Sequence, residues 1–295
     1  MPIDAETLID WFDVRGRDLP WRHADCTPWG VLVSEIMLQQ TPVARVQPVW
    51  QDWMARWPVP SALASAGQGE VLRAWGKLGY PRRALRLHEA ATAIATEHGD
   101  AVPSDVDTLL ALPGIGAYTA RAVAAFAYGK RAPVVDTNVR RVVARAVHGA
   151  GDAGPASNTR DMADVDALLP VAEARAARFS AALMELGALV CTARAPRCAD
   201  CPIYDRCAWQ RAGRPAYTGP AKAVQKFAGT DRQVRGLLLD VLRGTEEPVQ
   251  KGRLDMVWPD AGQRDRCLDS LLVDGLVEQT ADDRFALPGE VSAND

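Results

Sequence analysis

Four of the six cysteines fall within seventeen residues, Cys191, Cys198, Cys201 and Cys207 in "CTARAPRCADCPIYDRC". The spacing is C-x6-C-x2-C-x5-C, and four thiolates at that density hold either tetrahedral zinc or a [4Fe–4S] cluster. Structural zinc sites usually pair two short C-x-x-C knuckles, and this run has one, which leans mildly toward iron–sulfur. Cys26 and Cys267 stand apart and read as plain thiols. Two carboxylates are further candidates. Glu35, in "WGVLVSEIMLQQTP", has Val31 and Leu32 one turn before it and Leu38 one turn after. A carboxyl on so apolar a helix is partly withdrawn from water, which favours the neutral form and suits it to proton donation. A Glu that merely bonds a nearby backbone group or an Arg has the same surroundings. Asp136, in "APVVDTNVRRVVAR", precedes the apolar positions Val139, Val142 and Val143. Asp is a favoured N-cap, so capping alone accounts for it.

These residues need a scaffold, and the sequence describes one. Segments such as "VLRAWGKLG", "ARAVAAFAYG" and "FSAALMELGALVC" carry a 3.6-residue apolar period, with Gly and Pro between them. The body is therefore mainly α-helical. In "LLALPGIGAYTARAVAAFAYG" an amphipathic turn ends at Leu112, Pro113-Gly114-Ile115-Gly116 follows, and a second helix begins near Ala117. The two glycines allow a tight connection whose backbone N–H groups face outward and can hold a phosphate, the pattern of a helix-hairpin-helix DNA-binding element.

Bulk properties fit an intracellular globular protein. Hydrophobic residues make up 48% and charged residues 24%, and the net charge is −3. No apolar run approaches the roughly 18 residues of a membrane span, and "MPIDAETLIDWF" is no secretory signal. A bacterial cytoplasm is expected, with Arg outnumbering Lys 29 to 5 as in a GC-rich genome. Charge is uneven: residues 73–145 carry eleven Lys/Arg against six Asp/Glu, and residues 251–295 carry five against ten. The middle of the chain is accordingly the expected DNA face.

Glu35 in "SEIMLQQT", the hairpin "LPGIG", Asp136 in "VDTNVRRV" and the cysteine run, in that order, resemble the helix-hairpin-helix DNA glycosylases that carry an iron–sulfur cluster. Within them the chain is most similar to the MutY-type adenine glycosylases, over roughly residues 5–213. The resemblance implies a body of two helical lobes over 1–213. One is a helical barrel lobe with the hairpin, 28–131, and the other a cluster-bearing lobe, 1–27 and 132–213. It implies one [4Fe–4S] cluster on Cys191, Cys198, Cys201 and Cys207, pinning a loop whose Arg194, Arg197, Arg206 and Arg211 face phosphates. It implies that Glu35 protonates N7 of adenine, that Asp136 stabilises the oxocarbenium-like sugar, and that Asn138 orients Asp136 and the water. Tyr118 stands close to the sugar, where the endonuclease III branch has a lysine that forms a Schiff base. A phenol forms no imine, so base removal without efficient strand cleavage is expected. Gln39, Gln40 and Tyr80 correspond to residues that probe and wedge the stack beside 8-oxoguanine, and Leu112, Gly114 and Gly116 to the hairpin's DNA contact. The expected partner is double-stranded DNA with A opposite 8-oxoguanine or G, bound by a monomer. Two departures bear on selectivity: Tyr80-Pro81-Arg82 where relatives often have Tyr-Tyr-Ala, and Ala181 where they often have Glu or Gln.

Residues 214–229 read as a linker and 230–295 as a small tail. Val234, Leu237, Leu238, Val241 and Leu242 form one helical stripe, Cys267, Leu268, Leu271 and Leu272 a second, and "LVEQTADDRFAL" a hairpin. That order resembles a winged helix. Its acidity disfavours phosphate contact, so a docking or partner surface is expected, with lesion discrimination left mostly to the body. Two rival functions are a thymine glycosylase acting on T·G mismatches and a non-enzymatic iron–sulfur DNA-binding regulator.

Overall fold

The computed structural model describes residues 3–220 and 227–290; positions 221–226 of the expected linker lie outside them. The chain divides into two compact units, one of Met1–Leu32, Ser104–Ala111 and Ile115–Lys222, the other of Val33–Pro103, Leu112–Gly114 and Ala223–Asp295. Both are built chiefly of helices.

In the first unit Asp4 caps helix Ala5–Arg15, accepting from the Thr7 N–H at 3.2 Å. Helices Ala5–Arg15, Thr137–Ala146 and Glu173–Leu189 meet over Leu8, Ile9, Phe12, Val139, Val142, Phe179, Leu183 and Leu186. The first turn of the chain is tied in by charge. Fully buried Glu185 accepts from Arg17 at 2.7 Å and from Arg22 at 2.9 Å. Burial alone would raise its carboxyl; the two guanidinium partners more than reverse that and hold it at about 2.

The division differs from the expected lobes. Helix Ala117–Tyr128 belongs with the helices of the expected cluster-bearing lobe, because its small face at Ala122 and Ala125 packs on Ala132, Val134 and Ala177. Small residues on that face let the backbones approach closely.

The second unit packs helices Val43–Arg56, Gln68–Trp75 and Arg82–Glu97 around three indoles, Trp53 meeting Trp57 edge-on at 4.8 Å and Trp75 at 5.6 Å. The tail belongs to this same unit. Its order is helix Asp231–Arg243, strand β1 Val249–Gln250, helix Lys251–Asp255, helix Ala261–Val273, then strands β2 Glu278–Gln279 and β3 Arg284–Ala286. The strands form one antiparallel sheet in the order β1-β3-β2, so the winged-helix arrangement is present with a strand and a short helix that periodicity did not reveal. Asp283, at φ 58°, makes the β2–β3 turn. Val234, Leu238 and Leu242 are buried as the stripe requires, but Leu239 joins them while Leu237 and Val241 are only partly covered.

The tail docks onto its unit by opposite charge. Lys77 reaches Asp240 at 3.2 Å, Arg82 reaches Asp274 at 3.2 Å, and Arg73 reaches Glu290 at 2.9 Å. Arg243 donates to the Leu72 carbonyl at 3.1 Å. Part of the basic excess of residues 73–145 is thus engaged within the protein. Arg73, Lys77 and Arg82 pair with the tail, Arg131 with Asp166, Arg140 with Asp161, and Arg83, Arg141 and Arg145 with backbone carbonyls.

Candidate active site and cluster loop

Helix Pro28–Leu38 sets Glu35 among buried Val31, Leu32 and Ile36, and leaves it 5% exposed. The helix ends where Gln40 takes φ 56°, a left-handed conformation that a non-glycine residue enters only when its surroundings compel it. Tyr80 does the same at φ 49°. One side chain holds both turns. Arg83 donates to the carbonyls of Ile36 at 2.8 Å, Gln39 at 2.6 Å and Gly79 at 2.9 Å, and to the Thr41 hydroxyl at 3.1 Å. It therefore satisfies the open carbonyls at the helix C-terminus while fixing the "QQT" and "GY" turns against each other. Its guanidinium also lies over the rings of Trp75 and Tyr80, at 5.1 and 5.5 Å. Burial lowers it to about 10, and it stays charged at neutral pH. Gln40 is exposed, and Tyr80 is 41% exposed.

In the hairpin, helices Val106–Ala111 and Ala117–Tyr128 flank Gly114 at φ 72°. A Cβ on Gly114 would stand 2.6 Å from the Arg86 Cβ, so only glycine fits on both counts. Gly116 is the N-cap of the second helix, and a Cβ there would meet nothing within 4 Å. Leu112 is buried at 4% exposure, so its side chain serves the core and leaves only backbone for any contact with DNA. Tyr118 is half-buried against the Ala122–Val134 cluster.

Asp136 caps helix Thr137–Ala146, one oxygen accepting from the Val139 N–H at 2.7 Å and the other from the Asn138 amide at 2.8 Å. Burial pushes its carboxyl above the usual range, and these hydrogen bonds together with the Arg141 charge pull it back toward the anion. Arg141 continues the chain of contacts. It donates to Asn138 Oδ1 at 2.8 Å, to the Gly187 carbonyl at 2.8 Å and to the Cys191 carbonyl at 2.7 Å.

The four cysteines of the run line one cavity with Arg145, Val190, Tyr204 and Trp209. Burial, and after it the neighbouring Cys191, Cys207 and Cys198, push the Cys201 thiol up to about 12. Thiols crowded this way are the donor set that a cationic iron–sulfur group takes as thiolates. Buried Arg145 shapes the loop, donating to the carbonyls of Thr192 at 2.8 Å and Ala193 at 3.1 Å and to Cys191 Sγ at 3.4 Å, while lying over Trp209 at 4.8 Å. Arg194, Arg197, Arg206 and Arg211 are exposed on it.

Sequence reasoning passed over Arg83, Arg141 and Arg145. The one signal available was position: Arg145 sits three residues after Val142 on the apolar face of its helix, where a solvated arginine is out of place.

Fold and site together define a helix-hairpin-helix DNA glycosylase with an iron–sulfur loop. Residues 33–162 match the model of the HhH-GPD superfamily of base excision DNA repair proteins, and residues 191–207 that of the iron–sulfur binding domain of endonuclease III. Over 291 residues the chain is 66% identical to the adenine DNA glycosylase of Mycolicibacterium smegmatis, covering 98% of each. It is 62% identical to that of Mycobacterium tuberculosis over 98% of this chain and 94% of the relative. The human adenine DNA glycosylase is 41% identical over 68% of this chain and 38% of its own length. The chain belongs to the adenine DNA glycosylase family, and its cofactor is a [4Fe–4S] cluster. A thermostable thymine-DNA glycosylase shares the fold with TM-score 0.64 at 28% identity, over 70% of this chain and 95% of that one. Endonuclease III from its non-covalent DNA complex does so with TM-score 0.60 at 22% identity, over 72% and 95%. Among the described residues no helix is long and apolar enough to cross a membrane.

Proposed function

We propose that the enzyme hydrolyses the N-glycosidic bond of adenine opposite 8-oxoguanine or guanine in duplex DNA, leaving an abasic site and an uncut strand. The observation that carries the reading is Asp136, anchored by the Val139 N–H and the Asn138 amide at a helix N-terminus. A carboxylate fixed in this way stabilises a developing oxocarbenium ion without having to reorganise. Buried Glu35 delivers the proton that makes adenine a leaving group. Asn138 holds the Asp136 carboxylate and orients the incoming water. Tyr118 occupies the position of an amine nucleophile, so no imine forms and the strand stays intact. The cluster, on Cys191, Cys198, Cys201 and Cys207, supplies no step of the hydrolysis and fixes the arginine loop for phosphate contact. The hairpin's Gly114 and Gly116 bring backbone N–H groups to a phosphate, while the Leu112 side chain stays buried. Gln39, Gln40 and Tyr80 meet the stack beside the 8-oxoguanine. The protein acts as a monomer on chromosomal DNA.

The test is a panel of duplexes with A opposite 8-oxoguanine, A opposite G and T opposite G, scored for released base and, separately, for strand breaks. Adenine release from the first two, with breaks appearing only after alkali, is expected. Faster thymine release would make this a thymine glycosylase, and no release of any base would leave an iron–sulfur DNA-binding protein.

A further inference from the structure

The tail approaches the body at one residue with a proposed part in recognition. Arg232, in the first turn of helix Asp231–Arg243, donates to the Tyr80 hydroxyl at 3.1 Å. The same guanidinium lies over the Phe227 ring at 5.2 Å, and Phe227 is 54% exposed. The Tyr80 ring is thus held from two directions, with Arg83 of the body over its face at 5.5 Å and Arg232 of the tail at its oxygen.

Nothing about this contact is needed to dock the tail. Docking is already served by the ion pairs of Lys77 with Asp240 and Arg82 with Asp274, the bonding of Arg73 to Glu290, and the Arg243 bond to Leu72. Asp274 also accepts from Arg235 at 2.6 Å, locking helix Asp231–Arg243 in the orientation that aims Arg232 at Tyr80. Asp240, Asp274 and Glu290 are the tail carboxylates that these pairings set against body cations, whereas Asp231, Asp255, Asp265 and Asp282 pair within the tail. The acidic balance of residues 251–295 thus says little about Arg232 and Phe227, which lie before it on the exposed side.

From this arrangement we infer that the tail takes part in lesion discrimination, through Arg232 as a positioning residue for Tyr80, an inference resting on the proposed wedge role of Tyr80. A tyrosine entering a base stack must reach it in one rotamer, and each degree of freedom fixed beforehand is one that binding need not freeze. The left-handed backbone at Tyr80, φ 49°, fixes the start of the side chain, the Arg83 guanidinium fixes the ring face, and the Arg232 hydrogen bond fixes its end. Arg232 is exposed, so its charge is also placed to meet a phosphate of the strand into which Tyr80 inserts. This adds the tail to a discrimination that the sequence reading leaves mostly to the body.

The full-length, cluster-loaded enzyme is the material for the test. Single-turnover adenine release is measured on duplexes with A opposite 8-oxoguanine and A opposite guanine, and the readout is the ratio of the two rates. Arg232→Ala should lower that ratio about fivefold, the size expected of one ordinary solvent-exposed hydrogen bond. Tyr80→Phe, which removes only the hydroxyl and leaves the tail untouched, should lower it equally. The double variant should fall no further, and Arg232→Lys should recover part of the loss. A ratio unchanged in Arg232→Ala, or losses that multiply in the double variant, would overturn the inference if Tyr80→Ala still lowers the ratio. An unchanged ratio in Tyr80→Ala would instead remove the wedge reading itself, and this inference with it.

Discussion

A single guanidinium joins Asn138 to Cys191, Arg141 donating to Asn138 Oδ1 at 2.8 Å and to the Cys191 carbonyl at 2.7 Å. Asn138 in turn donates to Asp136 at 2.8 Å. The position of the proposed catalytic carboxylate is therefore set in part by the loop that holds the cluster. Arg141→Ala should slow adenine release by about 10²-fold, the cost of a misplacement near 1 Å, in protein that still carries iron. Single-turnover rates normalised to iron content check this. A near-normal rate would show that Asn138 is held well enough without it.

Gly187 tests the same geometry from the other side. A Cβ there would stand 2.7 Å from the Asn138 Cβ and 2.9 Å from its backbone oxygen. Gly187→Ala should force the helix carrying Asn138 outward, costing about 1–3 kcal/mol of stability as overpacking does. Adenine release should fall more than that loss of folded protein explains. Urea denaturation and single-turnover kinetics on the same preparation separate the two effects.

Acid should loosen the first unit through Glu185. Its folded pKa of about 2 lies below the usual 4.5, so its contribution is complete above about pH 4.5 and is lost as pH falls toward 2. Glu185→Ala strands Arg17 and Arg22 and should cost about 3 kcal/mol at pH 7, the low end for a broken buried pair because Arg17 is 35% exposed. Thermal unfolding across that pH range should show a flatter acid limb in the variant than in the parent.

How much of this was legible in the sequence depended on how local each cause was. The cysteine run could be read because its four thiols lie within seventeen residues, and the hairpin because Gly114 marks its own turn. Glu35 and Asp136 became specific only as parts of an ordered family pattern, since each alone has an ordinary structural explanation. The arginines escaped notice because their partners are backbone carbonyls with no sequence signature: Gln39 lies 44 positions from Arg83 and Cys191 lies 50 from Arg141. Charge balance misled in the same way. Regional sums gave a basic middle and an acidic tail, and the fold sets part of one against the other, as at Lys77–Asp240 and Arg82–Asp274.

The cluster should be visible directly. Purified anaerobically, the protein should be yellow-brown with about four irons and four sulfides per chain, and Cys198→Ser should lower both together. Iron removal should weaken duplex binding, and the loss should shrink at high salt if, as proposed, the loop's arginines contact phosphates. Iron and sulfide analysis beside a salt titration of duplex affinity provides the check, and stoichiometric zinc without sulfide would contradict it.

The central claim is that adenine leaves because Glu35 protonates it and Asp136 stabilises the developing positive charge. The most direct measurement is single-turnover adenine release by Glu35→Gln on a duplex with A opposite 8-oxoguanine, with affinity for the uncleaved duplex measured alongside. The amide keeps the shape of the side chain and cannot donate the proton, so release should fall by at least about 10³-fold, within the range of a lost general acid, while duplex affinity stays within a few-fold. A release rate within a few-fold of the parent enzyme would contradict the account.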